Sequence, residues 1–267
     1  MKYLIINGSP RKGNTWRLVE LVRQQIMSAS PASEFQEIHL AKANLPFCVG
    51  CSACFRKGNE HCPHRSVMDE IIAGMNWADG IIFSSPTFNR APTALVKNLF
   101  DHLCYMLHRP HFFTKKALVI TTTGGVGAKA AAKSLAADLK GIGFNRVYLL
   151  PVITHSWNDY SIDDKAKRQS SKVFREFRMD IESGKMHPPS ALLMIPYNLF
   201  RGMCLSNAPG AEYPTYDGIY WMDPVRAKSY YDSSIPVPFY KKPVGAFFYQ
   251  VGKLGGRMVP VSYKKNK

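Results

Sequence analysis

Up to about residue 185 the hydrophobic positions alternate between two periods. Tyr3-Leu4-Ile5-Ile6, Ile81-Ile82-Phe83, Ala117-Leu118-Val119-Ile120-Thr121 and Val147-Tyr148-Leu149-Leu150-Pro151-Val152 are short, nearly unbroken apolar runs, and Phe35-Gln36-Glu37-Ile38-His39-Leu40 alternates apolar with polar. Such runs predict strands. Between them apolar residues recur at helical spacing: Leu18, Val19, Leu21, Val22 and Ile26 after the first run, then Val67, Met68, Ile71, Ile72 and Met75 before Trp77. Further helices are predicted over about Thr93–Leu107, Ala128–Lys140 and Ile162–Ser183, the last two closed by Gly141, Gly143 and Gly184. Strands that read as continuously apolar need helices on both faces. The prediction is therefore an α/β fold, a doubly wound five-stranded parallel sheet in the order 2-1-3-4-5. Ligands bind such sheets at the carboxyl ends of the strands, so the loops after strands one, three and four share one rim.

The period is lost from His187-Pro188-Pro189 onward. Residues 186–267 read as a C-terminal extension, basic, aromatic and Pro-rich, with Tyr230-Tyr231, Lys241-Lys242-Pro243 and Lys264-Lys265. Its Phe247-Phe248-Tyr249 and Arg257-Met258 segment is weakly amphipathic. The extension is expected to pack on the 1–185 domain; covering a partner subunit or docking on an anionic surface are the alternatives. At 267 residues and 46% hydrophobic, the chain can bury the core of one ordinary domain plus this appendage. Its longest apolar runs are far short of a membrane span, and Met1-Lys2 leads directly into a strand. A cytoplasmic protein without leader or transmembrane segment is expected. The net charge of +16 favours anionic partners. Nucleic acid is not expected among them, since no helix-turn-helix, zinc-finger or RNA-binding signature occurs.

Candidate chemistry concentrates in the first βα loop, Gly8-Ser9-Pro10-Arg11-Lys12-Gly13-Asn14-Thr15. Backbone N–H groups at a helix start have no intrahelical partners and carry the positive end of the helix dipole, so the turn can hold a phosphate. Ser9, Asn14 and Thr15 add donors, while Arg11 and Lys12 add charge. An ordinary βα turn with Thr15 as N-cap is the plainer reading. The loop lacks a Lys-Ser/Thr ending, and its glycines are too widely spaced for Gly-x-Gly-x-x-Gly.

The stretch resembles the Gly-Ser-Pro-Arg-x-x-Gly/Ser-Asn-Thr/Ser loop of the flavodoxin-like, FMN-binding NAD(P)H oxidoreductases. That resemblance implies that Ser9, Arg11, Asn14 and Thr15 wrap the terminal phosphate of FMN. Ser85-Pro86-Thr87-Phe88-Asn89 resembles the family's flavin-ring loop, which assigns Pro86, Thr87, Phe88 and Asn89 to the ring. Thr123-Gly124-Gly125 resembles its Thr-x-Gly-Gly turn, where backbone without Cβ atoms can approach a planar cofactor. A flavin accepts hydride at N5 and releases electrons singly or in pairs, so no protein nucleophile is required. Arg90 is expected either to stabilise negative charge on the reduced flavin or simply to face solvent.

Cys48-x-x-Cys51-x-x-Cys54 followed by Cys62 is the second constellation. Four thiolates this close can converge on one metal centre. The motif resembles that of the iron-sulfur flavoproteins, a branch of the same group that holds a [4Fe-4S] cluster beside FMN, although the last gap is wider here. Zinc is the rival, with His61 or His64 able to replace a thiolate, and free thiols without metal are the third possibility. Cys104 and Cys204 read as lone, buried or inert, and His102, His108 and His111 as packing residues.

Two main functions follow from the resemblance. One is an FMN-dependent NAD(P)H oxidoreductase passing reducing equivalents to a small acceptor such as a quinone or flavin. The other is an iron-sulfur electron carrier that receives electrons from an acidic, ferredoxin-like partner. A binding module whose appendage recognises another protein is a third. The family resemblance also implies a homo-oligomer.

Overall fold

The computed structural model describes residues 1–258 and 263. Its centre is one parallel sheet of β1 (Lys2–Asn7), β2 (Glu34–His39), β3 (Gly80–Pro86), β4 (Lys116–Thr123) and β5 (Arg146–Ile153), in the spatial order β2-β1-β3-β4-β5. Successive residues of a strand point to opposite faces, and the core divides accordingly. Tyr3, Ile5, Ile82, Leu118 and Ile120 pack against α1 (Asn14–Ala29) and α7 (Asp164–Glu182). Leu4, Ile6, Ile81, Phe83 and Val119 pack against α3 (Arg65–Trp77), α4 (Ala94–His102) and α6 (Ala128–Gly141). This is the predicted doubly wound, flavodoxin-like architecture.

Two local departures bear on function. The cysteine-rich stretch contains a single turn of helix, α2 (Ala53–Arg56), entered through Ser52 and Gly50 in left-handed backbone. The helix predicted over Thr93–Leu107 is broken: α4 stops at His102, and a short α5 (Tyr105–His108) follows. His102 Nδ1 lies 2.9 Å from the Asn98 carbonyl oxygen, one turn back along α4, so its side chain folds down against the last turn of the helix. At the opposite end Thr93 caps α4, accepting from Val96 N while donating to the Gly8 carbonyl oxygen at 2.7 Å.

The extension is helical, with α8 (Ala191–Met203), α9 (Tyr216–Trp221), α10 (Pro224–Lys228) and α11 (Lys242–Met258). It builds a small core of its own from Met194, Tyr197, Trp221, Tyr231 and Ile235, joined to the sheet domain through Phe113. Arg109, buried, donates to the Cys54 carbonyl oxygen at 2.6 Å and lies 3.0 Å from Asp217 Oδ1, tying the cysteine turn to α9. The Lys264-Lys265 pair lies outside the described residues.

Candidate functional site

The loops after β1, β3 and β4 meet at the carboxyl edge of the sheet around a cavity of about 610 Å³. Ser9, Arg11, Asn14, Thr15, Pro86, Thr87, Phe88, Asn89, Thr123, Gly124 and Gly125 all line it. Helix α1 starts at its wall with Gly13, not Thr15, in the N-cap position and without a side-chain cap, so its first N–H groups are left for a ligand. Thr15 Oγ1 instead bonds Thr122 Oγ1 at 2.6 Å. The Ser9 hydroxyl is spent inside the loop, donating to the Arg11 carbonyl oxygen at 2.6 Å. What Ser9 supplies is therefore loop shape rather than a free hydroxyl donor.

Arg11 and Asn14 reach across to a fourth loop that the motifs did not mark. Arg11 Nη2 donates to Trp157 O at 3.2 Å and Asn158 Oδ1 at 2.9 Å, and Asn14 Nδ2 donates to Ser156 O at 3.0 Å. Thr154, Ser156 and Trp157, just past β5, thereby join the cavity wall. Trp157 is 85% exposed, and a Cβ on Gly124 would stand 2.5 Å from its ring, so that glycine makes room for the indole. On the other rim, Asn89 and Arg90 both adopt left-handed backbone, with φ of 48° and 64°, in a two-residue turn closed by reciprocal hydrogen bonds between Phe88 and Ala91. For a side chain as large as Arg90 this is a strained conformation at a cavity edge.

The cavity suits a phosphate-bearing flavin on its own chemistry. Two of its buried side-chain atoms, Asn14 Oδ1 and Thr87 Oγ1, have no hydrogen-bond partner, an arrangement that leaves them costly unless a ligand or water answers them. Polar groups sit at the α1 end, Phe88 and Trp157 at the rim, and the volume falls in the usual range for cofactor sites.

The four motif cysteines gather elsewhere, around a small recess beside α4. Asn98, buried on α4, holds their loop: it accepts from Cys48 N at 3.1 Å and donates to the Leu45 and Pro46 carbonyls. Cys48 and Cys51 are exposed, Cys54 and Cys62 half-buried. Burial raises the Cys62 pKa, and negative charge on Cys54, Cys51 and Cys48 pushes it the same way. A cation among them would relieve that repulsion. Cys104 corrects its reading as a lone thiol, since it lines the same recess as the four motif cysteines. His102 is likewise more than packing: its Nε2 lies 2.9 Å from His64 Nδ1, and Cys62, His64 and His102 place ligand atoms within 4.8 Å of one another. A tetrahedral four-thiolate zinc site, with Zn–S of about 2.3 Å, would need all four sulfurs about 3.8 Å apart. Among the described residues the group whose ligand atoms lie within 4.8 Å of one another is that Cys-His-His set, not the four thiols. Cys204, His108 and His111 stay structural: Cys204 is buried, His108 pairs with Asp217 at 2.7 Å, and His111 meets Asn76 at 3.0 Å.

Comparison with known proteins places the chain in a family. Residues 1–155 match the NADPH-dependent FMN reductase family. The chain belongs to that family. This makes it an FMN-dependent NAD(P)H oxidoreductase by membership. Within the family it is 30% identical over 190 residues to an iron-sulfur flavoprotein of Clostridioides difficile (strain 630), covering 69% of this chain and 81% of the relative. It is 33% identical over 138 residues to an iron-sulfur flavoprotein of Archaeoglobus fulgidus, covering 51% of this chain and 66% of that one. Among solved structures it resembles an NADH:FMN oxidoreductase, at a TM-score of 0.52, 22% identity and coverage of 72% of this chain and 98% of the other. That likeness speaks for the fold alone. The family match ends at residue 155, so the extension lies beyond it. Among the described residues no helix is long and apolar enough to cross a membrane.

Proposed function

We propose that residues 1–185 form an FMN-binding domain and that Cys48, Cys51, Cys54 and Cys62 hold a [4Fe-4S] cluster. The whole protein then takes reducing equivalents from NAD(P)H and passes them to a small acceptor such as a quinone or flavin. The observation that carries the reading is the convergence of all eleven flavin-motif positions on one cavity that retains two unanswered buried polar atoms. In it the α1 N-terminus, with the Asn14 and Thr15 backbone N–H groups, and Arg11 bind the phosphate, Pro86 stiffens the ring loop, Thr87 Oγ1 meets the ring's polar edge, and Phe88 and Trp157 shield its face from water. When bound, FMN supplies hydride acceptance and one- or two-electron release. A ferredoxin-like donor in place of NAD(P)H is the second reading, favoured by the net charge of +16 and by the likeness to relatives named iron-sulfur flavoproteins.

An ultraviolet-visible spectrum with iron and sulfide analysis, on protein purified without oxygen, tests both cofactors. Flavin bands with a broad shoulder and about four irons per chain are expected; flavin without iron would leave a plain FMN reductase. Bleaching of the flavin by NAD(P)H separates the enzyme from a carrier reduced only by ferredoxin. Arg90→Ala is expected to lower the two-electron potential of bound FMN by about 10–30 mV in spectroelectrochemistry, which is up to roughly 1.4 kcal/mol. An unchanged potential would mean that Arg90 faces solvent.

A further inference from the structure

Helix α11 carries different chemistry on its two sides. Gly245, Gly252 and Gly256 lie along one side and are buried against α8. A Cβ on Gly252 would stand 2.3 Å from the Leu199 carbonyl oxygen, and one on Gly256 2.6 Å from that of Met203. Small residues that let two backbones approach this closely hold the pair by contact, without spending large apolar side chains on it. Those side chains are on the other side. Phe247, Val251, Leu254 and Met258 recur at i, i+4, i+7 and i+11, which at about 100° per residue sets them opposite the glycines. They are 63%, 41%, 59% and 72% exposed. Phe239 and Tyr240, just before the helix, are exposed as well.

Charge says what this ridge meets. Lys242, Lys253 and Arg257 fall on one shoulder of α11, between the glycine side and the ridge, and residues 233–258 contain no Asp or Glu. We propose that this face of α11 docks the protein on an anionic phospholipid bilayer. The helix lies in the plane of the surface, its apolar ridge at the acyl boundary and its basic shoulder at the headgroup phosphates. The exposed Phe239 and Tyr240 suit the same interface, where aromatic rings are favoured. A second copy of the chain fits less well. A two-fold contact through this face would bring together two copies of a segment that holds Lys253 and Arg257 and no acidic residue to pair them. The proposal does not depend on the flavin or the cluster.

The test is co-sedimentation of the full-length protein with vesicles of phosphatidylcholine alone or of phosphatidylcholine with phosphatidylserine. Binding to the serine-lipid vesicles is expected to exceed that to the neutral ones by about tenfold or more and to fall with added salt. The double variants Phe247→Asp/Leu254→Asp and Lys253→Glu/Arg257→Glu should each lose about tenfold, with melting temperature and flavin absorbance unchanged. No binding to serine-lipid vesicles, equal binding to both kinds, or binding that survives both variants overturns the proposal. So does light scattering that shows Phe247→Asp/Leu254→Asp converting a dimer to a monomer while vesicle binding persists.

Discussion

Arg11→Ala is expected to weaken FMN binding by about 10- to 100-fold in fluorescence titrations of the apoprotein, while riboflavin binding changes by less than about threefold. The first figure corresponds to the roughly 1.5–3 kcal/mol of a charge-assisted hydrogen bond, at about 1.4 kcal/mol per factor of ten. The second follows because riboflavin has no phosphate for the guanidinium to meet. The comparison is needed because Arg11 has a second task. Its Nη2 bonds Trp157 O and Asn158 Oδ1, holding the loop after β5 against the phosphate loop. Equal losses for both flavins would assign the residue to that tether and remove it from the phosphate site. Arg11→Lys keeps the charge but not the forked geometry, and should recover part of the phosphate-dependent affinity only.

Asp180→Asn should destabilise the fold by about 3–5 kcal/mol at pH 7 in urea titrations, the usual penalty for breaking a buried ion pair from one side. Lys116, at the start of β4 and 2% exposed, lies 3.1 Å from Asp180 Oδ1 and also donates to the Asp180 carbonyl oxygen. Tyr148 donates to Oδ2 at 2.9 Å, and His187 Nε2 lies 2.8 Å from Oδ1. Burial alone would raise the pKa of this carboxyl, but the hydrogen bonds from His187, Lys116 and Tyr148 outweigh it and hold the pKa below the ordinary value. A carboxyl depressed in the folded state contributes stability that is present above its unfolded pKa, about 3.9, and is lost as pH falls through the lower folded value. The wild type should therefore lose stability below about pH 4 more steeply than Asp180→Asn, and the two should converge in acid. Replacing both partners, Lys116→Met with Asp180→Asn, should recover much of the loss, because no unpaired charge is left inside. The effect extends to the root of the extension, since His187 is also clamped by Asn145 through two backbone contacts.

The sheet could be read from the sequence because β1, β3 and β4 are buried on both faces and so are written as unbroken apolar runs, while the edge strand β2 alternates; only the strand ends moved, by one to three residues. The three cavity loops were legible as local motifs. What escaped was contact between parts of the chain far apart. Trp157 reaches the phosphate loop across 146 residues, and Cys48 meets Asn98 across 50, distances at which spacing carries no signal. One clue to the fourth loop was available: Thr154 to Tyr160 is a polar, aromatic stretch at the carboxyl end of a strand, where such sheets bind ligands. Cys104 and His102 looked solitary because a continuous helix was expected through Leu103, and the break after His102 changes where both side chains lie. The extension gave little warning of its helices. Pro196 lies inside α8 and four glycines inside α11, residues of poor helical propensity that close packing between the two helices overrides.

Helix α4 gives the two sites a common foundation. Its cap, Thr93, grips the phosphate loop through the Gly8 carbonyl and donates its backbone N–H to Ser85 Oγ in the ring loop, while Asn98 and His102 hold the cysteine turn and its recess. Five to nine residues along one helix amount to a rise of about 7–14 Å. Groups bound at the two ends would exchange electrons across a single rigid span whose length is set once, at folding, with no hinge motion and no diffusional encounter in between.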